Sequence, residues 1–451
     1  MKKVFFLCLT ACVLVLSTAC KKDETPAPPS GNNNNTNTGV EVTGDISSNT
    51  TWTADKKYTL KGFVYVKSGA ILTIEPGTVI KGDKDSKATL IVERGGKINA
   101  IGTSTNPIVF TSAQAKGSRN YGDWGGLIIC GKAPVNLPGG EGVLEGGTGA
   151  TFGGTDAADN SGTLKYVRIE FGGIAFQPNN EINGLTLGAV GSGTTIEYVQ
   201  VSYSGDDAFE WFGGTVNAKH LVSHRNWDDD FDTDNGFIGK VQFGVILRDP
   251  NIADQSGSNG FESDNDGQGT DATPFTAPIF SNISLLGPLK TSTTTVDANY
   301  RRAVHVRRNS RQSIYNSLLT GYPTGLLVDG SKCETNAGNG TLNIKTSVLA
   351  GCTSNFAVAS GSTWDLAAWF NTTTFSNAVL ADYSTLNVAD AFTLNAPVLL
   401  PGTGSILATG ADFSQAPLND AFFTAVTHRG AFGTENWTSG WANFDPQNTD
   451  Y

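Results

Sequence analysis

The chain is short of positive charge: 31 lysines and arginines face 42 aspartates and glutamates, a formal net charge of −11 over 451 residues. With no basic patch dominating any stretch, nucleic acid is not an expected partner. Helical periodicity is nearly absent, which sets aside a helical bundle. Beyond residue 20 no apolar run is long enough to span a bilayer. Three of the six cysteines, Cys8, Cys12 and Cys20, fall in the first 20 residues. No Cys/His spacing fits a zinc site. The glycine-rich GGTGATFGG (146–154) has no Walker lysine and no helix pattern after it, so it is not a phosphate loop but an insertion laid over one face.

Glycine, by contrast, is plentiful: 54 residues, well above the roughly 7% average. The excess sits in turn-like clusters between short β-branched runs, the signature of an all-β fold. The N-terminus reads as a targeting segment, with Met1-Lys2-Lys3 charged and Val4 to Leu16 apolar. It ends in LSTAC, which resembles a lipoprotein signal acylated at Cys20; a competing LTAC at Cys12 leaves a shorter apolar region. The KKDE that follows resembles the acidic export signal of Bacteroidota surface lipoproteins. TPAPPSGNNNNTNT then reads as a polar tether unable to pack a core. The expected organisation is a signal at 1–20, a tether at 21–40, a β domain at 41–355, and last coils with a cap at 356–451. STWDLAAWFN (362–371) is the one expected short helix, with Ser362 or Thr363 as N-cap. Trp437 and Trp441 are expected to cover the last coil.

Three acidic segments recur between residues 203 and 268: SGDDAFEWFGG, WDDDFDTDNG and GSNGFESDNDG. In register, Phe209, Phe231 and Phe261 share a column, Glu210, Asp232 and Glu262 the next, and Phe212, Asp234 and Asp264 another. RRAVHVRRNS continues the register, with Val304 in the first column and His305 in the second. An apolar residue followed by an acidic one predicts inward, then outward. Phe209 to Phe231 is 22 residues, as is Val304 to Leu326, with spacings of 30 and 43 between. A solenoid rung of about two dozen residues with loop insertions explains this; a sandwich does not. A second repeat, LKYVRIEFGG, IEYVQVSYSG, FSNISLLG, IYNSLLTG and IKTSVLAG, agrees. The predicted fold is a right-handed parallel β-helix, and LTIEPGTVI followed by INAIGTSTNPIVFTS resembles the opening coils of bacterial proteins of that kind.

The acidic columns carry the expected chemistry. Parallel rungs lie about 4.8 Å apart, and like charges at about 5 Å repel by roughly 3 kcal/mol at an effective dielectric near 20. Glu210, Asp229, Asp230, Asp232, Asp234, Glu262 and Asp264 therefore need protons or a cation among them, and hard oxygen donors suit Ca²⁺. DDDFDTDNG resembles an EF-hand loop in spacing, but no glutamate stands at the twelfth place and flanking helices are missing. Ion pairing alone is the plainer reading, with His305 above Glu262 and Arg307 above Asp264. A catalytic reading is also open. Asp206-Asp207 resembles the paired aspartates of polygalacturonases, with His305 and Arg307 on a later rung, although the glycine-flanked histidine and the Arg-x-Lys segment of that family are missing. Cys333 and Cys352 are a candidate disulfide, and Cys130 a buried thiol.

DWGGLIICGKAP, GTLKYVRIEFGG, DDAFEWFGGTVNAKHL, DDDFDTDNGFIGKVQ and GAFGTENWTSGWANFDPQ occur in this order. Together they resemble a family of Bacteroidota β-helix envelope lipoproteins with no assigned reaction. The resemblance implies a surface lipoprotein held to the outer membrane by lipid, a non-catalytic scaffold binding a glycan, nutrient or outer-membrane transporter. The alternative is a polysaccharide lyase or glycoside hydrolase acting on acidic polysaccharide at the same face.

Overall fold

The computed structural model describes residues 39–177 and 180–451; the signal, Cys20 and nearly all of the tether lie outside them. Strand Ile71–Ile74 shows why the chain coils. Leu72 and Ile74 point inward and are buried, their neighbours are half-exposed, and Pro76-Gly77 turns the chain at a glycine with φ +82°. Repeated coil after coil, this pattern builds a right-handed parallel β-helix. Its 26 strands join through parallel pairing into one continuous network, so each coil supplies the hydrogen bonds that the next would otherwise leave open.

The predicted columns are in register. Phe209, Phe231, Phe261, Val304 and Leu326 stack inward, and Glu210, Asp232, Glu262 and His305 stack beside them. The inward rings touch edge to face, with centroids 5.6 Å apart for Phe209–Phe231 and 5.5 Å for Phe231–Phe261. The second repeat also pairs as expected, with Leu164 beside Ile196 and Leu318 beside Val348. Two further members escaped the sequence reading, Asn217–His224 and Lys240–Leu247. These long strands bend at one corner, where Tyr166, Tyr198, His220, Phe243 and Asn282 adopt positive φ between +51° and +63°. Stacking of each ring on the next offsets that backbone cost.

Several expectations are corrected. The short helix is Leu366–Phe370 and its N-cap is Asp365, whose carboxylate accepts from Ala368 N at 2.8 Å; Ser362 and Thr363 lie outside it. A second helix, Ser331–Gly338, was not expected because SKCETNAG has no apolar stripe. Cys333 and Cys352 are separate free thiols: Cys333 is a buried residue of that helix, and Cys352 points at Ala350 O. Cys130 is a buried free thiol, as read.

The terminal tryptophans do not cover the last coil. After the final strand, Ala378–Leu380, the chain runs back along the flank of the helix towards its first coils. Buried side-chain amides hold it there by paired hydrogen bonds. Gln242 donates to Thr424 O and accepts from Thr424 N, both at 2.8 Å, and Gln200 grips Asn443 in the same way. Trp441 is buried against Tyr166 and Tyr198, with centroids about 6 Å away. The segment ends with Tyr451 Oη donating to the buried Glu170 at 2.6 Å. Among the described residues no helix is long and apolar enough to cross a membrane.

Candidate metal centre

The site grows from one sheet of the solenoid. Its outward column opens at Asp45, runs through Tyr65, Ile91 and Ile128, passes Thr186, and then becomes Glu210, Asp232, Glu262 and His305. A second column forms two residues before each inward aromatic, where the register places Asn183, Asp207, Asp229 and Asn259. The two columns lie side by side and bring five carboxylates together, which Asp206 and Asp228, each one residue earlier than Asp207 and Asp229, raise to seven. Three groups each bring carboxylate oxygens within 4.8 Å of one another: Asp206–Asp207–Asp228, Asp207–Glu210–Asp232 and Asp229–Asp232–Glu262. Asp207 and Asp232 are each shared between two groups, which makes the cluster continuous.

Pointing outward did not leave these groups in solvent, contrary to expectation. Asp207, Glu210 and Asp229 are only 8%, 7% and 5% exposed. The glycine-rich insertion packs against the neighbouring apolar part of the same sheet. It forms an antiparallel ribbon, Glu141–Val143 against Thr151–Gly153. Leu144 and Phe152 pack on the apolar part of the outward column, Phe152 lying 6.0 Å from Phe212. Burial first, and neighbouring carboxylates second, raise Asp206, Asp207, Glu210, Asp229 and Asp232 well above the ordinary range. Asp228 is pushed up to about 6, chiefly by burial.

The charges divide along the helix axis. At the C-terminal side, His305 Nδ1 lies 3.2 Å from Glu262, and Arg307 pairs with both Asp264 and Glu262. Burial would raise Glu262, but His305, Arg307 and Arg308 outweigh it and hold its pKa below the usual value. These pairings are the ones expected from the columns. On the other side, Asp206, Asp207, Glu210, Asp228, Asp229 and Asp232 have no lysine, arginine or histidine at ion-pair distance among the described residues. Their contacts are neutral: Asp207 accepts from Asp229 N at 2.8 Å, and Asp228 from Ser256 Oγ at 2.6 Å.

Of the seven expected ligands, Glu210, Asp229, Asp232 and Glu262 are brought together. Asp230 is not among them. It occupies the column of Gly184, Ala208 and Gly260, which faces inward, and its carboxylate lies 3.2 Å from Arg248 with both side chains fully buried. Asp264 is clamped by Arg307 and Arg308, and Asp234 stands one rung before it in the same column, outside the three groups. Asp206 and Asp207, read as catalytic, instead join the cluster together with Asp228. His305 and Arg307 do not meet them: they stand three rung spacings away, about 14 Å.

Sequence reading missed Asn183 and Asn259, although the Asn-Gly before each strand marks them. Both are 1% exposed. The Asn183 amide donates to Glu210, that of Asn259 to Glu262 at 3.0 Å and Asp229 at 3.2 Å, and each Oδ1 has no hydrogen-bond partner. A half-turn of either amide would present that oxygen to the carboxylates. The donor set is all oxygen, partly neutral and short of positive charge. That combination fits a hard divalent cation.

The family model described as "Pectate-lyase like beta helix domain" matches residues 44–391. The chain belongs to this family. No curated protein and no solved structure matches it. In this pectate-lyase-like β-helix, the carboxylate cluster and the glycine-rich insertion both fall inside the matched span.

Proposed function

We propose that the protein is a cation-dependent carbohydrate-binding scaffold of the cell envelope. In this reading Cys20 carries the lipid that anchors it to the outer membrane, residues 21–40 hold it off the surface, and the β-helix presents its acidic sheet to a glycan or to an outer-membrane transporter. The pectate-lyase-like domain supports the carbohydrate connection, and the order of motifs with the LSTAC signal supports the envelope location. The cation is Ca²⁺, held by Asp207, Glu210, Asp229 and Asp232. One observation carries the reading: three overlapping carboxylate groups, of whose seven members only Glu262 is paired with a base, meet two buried amides whose oxygens lack partners. Ca²⁺ should raise the unfolding midpoint of the purified protein, and excess chelator should reverse the rise. A midpoint indifferent to both removes the cation.

A lyase or hydrolase reading keeps one favourable observation, since a carboxyl pushed up to about 6, as in Asp228, could hold a proton for a leaving group near neutrality. Carboxylate oxygens within 4.8 Å are closer than the roughly 6.5–9.5 Å of an inverting pair and near the roughly 5–5.5 Å of a retaining one. His305 is held between Glu262 and Asp329. Assays on uronic-acid polymers with Asp207→Asn and His305→Ala decide: cleavage lost in the first variant would install the enzyme reading, and no cleavage by the parent would end it.

A further inference from the structure

The carboxylate cluster contains one arrangement twice. Its two columns, Asn183–Asp207–Asp229–Asn259 and Thr186–Glu210–Asp232–Glu262–His305, advance together, one residue of each per rung. Asp207, Glu210 and Asp232 form one group; moving each member on by a rung gives Asp229, Asp232 and Glu262, which is the next group. The repeat stops on both sides. One rung earlier the same positions hold Asn183, Thr186 and Glu210, and one rung later Asn259, Glu262 and His305. Among the described residues, only two rungs therefore present three carboxylates in this arrangement. Asp206, Asp207 and Asp228 are not a third copy, since none of them stands in the outward column.

The terminal asparagines keep the two groups apart. The Asn183 amide donates to Glu210, which belongs to the first group alone. The Asn259 amide donates to Asp229 and Glu262, which belong to the second alone. Each residue is 1% exposed, and each amide oxygen lacks a partner. Turning an amide exchanges its ends, so the oxygen comes to lie where the nitrogen already touches the carboxylates. Calcium binds oxygen at about 2.3–2.6 Å, so two ligands of one ion are at most about 5 Å apart. Asn183 and Asn259 are three rung spacings apart, about 14 Å. No single ion takes both.

We propose that the cluster is a two-ion site, with one Ca²⁺ in each group and the Asp232 carboxylate, common to both, bridging them. This rests on the cation reading and adds a second ion to it. Charge favours the pair: six of the seven carboxylates face no base, and one divalent ion balances only two of them. Paired divalent ions in proteins lie about 3.5–4 Å apart, close to the rung displacement of about 4.8 Å. Both groups reach solvent through the partly exposed Asp232, and the second also through Glu262. The second ion binds more weakly, because His305 and Arg307 already pair with Glu262.

The test counts calcium by equilibrium dialysis of the full chain, first stripped with chelator, in about 0.1 M KCl to screen diffuse binding to the acidic surface. Two ions per chain are expected, the second weaker. Glu262→Gln should lose the weaker ion and keep the tighter, Glu210→Gln should leave one ion, and Asp232→Asn should weaken both. One ion in the parent would overturn the second site while leaving the cation reading in place; none would overturn both. Two ions retained in both Glu210→Gln and Glu262→Gln would overturn the assignment to these groups. The parental count needs no variant, so it decides even where a variant does not fold.

Discussion

Replacing Asp232 with asparagine should stabilise the protein in chelator and destabilise it in calcium. Asp232 stands between Glu210 and Glu262 in register, with Asp229 within 4.8 Å. Glu262 is paired with His305 and Arg307, so Asp207, Glu210 and Asp229 are the uncompensated neighbours. Each like pair at about 5 Å is worth at most roughly 3 kcal/mol at an effective dielectric near 20. Protons taken up by these raised carboxyls relieve part of that, leaving an expected gain of about 1–2 kcal/mol for the variant without cation. Calcium at about 100 times its Kd would stabilise the parent by roughly 2.7 kcal/mol, and the variant, lacking a shared ligand, by much less. The two proteins should therefore exchange order between chelator and calcium in urea unfolding followed by tryptophan fluorescence. A variant weaker than the parent in both conditions, by the same amount, would refute the electrostatic reasoning.

Without cation, stability should fall as pH rises from about 4 to about 7. A carboxyl whose folded pKa is raised binds more protons folded than unfolded in that window, so the penalty builds above the unfolded value and is complete above the folded one; Asp228 and Asp234, at about 6 and about 7, set its span. Calcium should flatten or reverse that slope in unfolding curves taken across the range. Arg248→Met should cost about 3–5 kcal/mol by leaving the fully buried Asp230 unpaired, and adding Asp230→Asn should recover part of the loss; equal stability of the single and double variants would contradict the pairing. Tyr451→Phe should cost about 1–3 kcal/mol by stripping the buried Glu170 of its donor, and should speed proteolysis of the returning segment.

Much of this architecture is legible because a parallel solenoid repeats its register. Phe209 and Phe231 are 22 residues apart and directly stacked, so aligning the acidic segments was enough to place Glu210 beside Asp232 and His305 above Glu262. The same alignment contained more than was read from it. Asn183, Asp207, Asp229 and Asn259 form one column, and Asp230 falls among glycine and alanine positions that point inward. Other features have no periodic trace. The docking of Leu144 and Phe152 on Ile91 and Ile128 belongs to an insertion that repeats nothing. The return of the C-terminal segment depends on Gln200 and Gln242, each gripping backbone about 180 to 240 residues away. Contacts at such separations are properties of the assembled coil, and local pattern does not encode them.

The central claim is that stacked rungs crowd carboxylates which only a bound cation neutralises fully. Crystals of the protein grown with calcium and exchanged into terbium would test it most directly through the anomalous difference map. The account predicts a strong peak among Asp207, Glu210, Asp229 and Asp232, with the amide of Asn183 or Asn259 turned to face it. Water-level density there, with those carboxylates bridged by short hydrogen bonds between themselves, would contradict it.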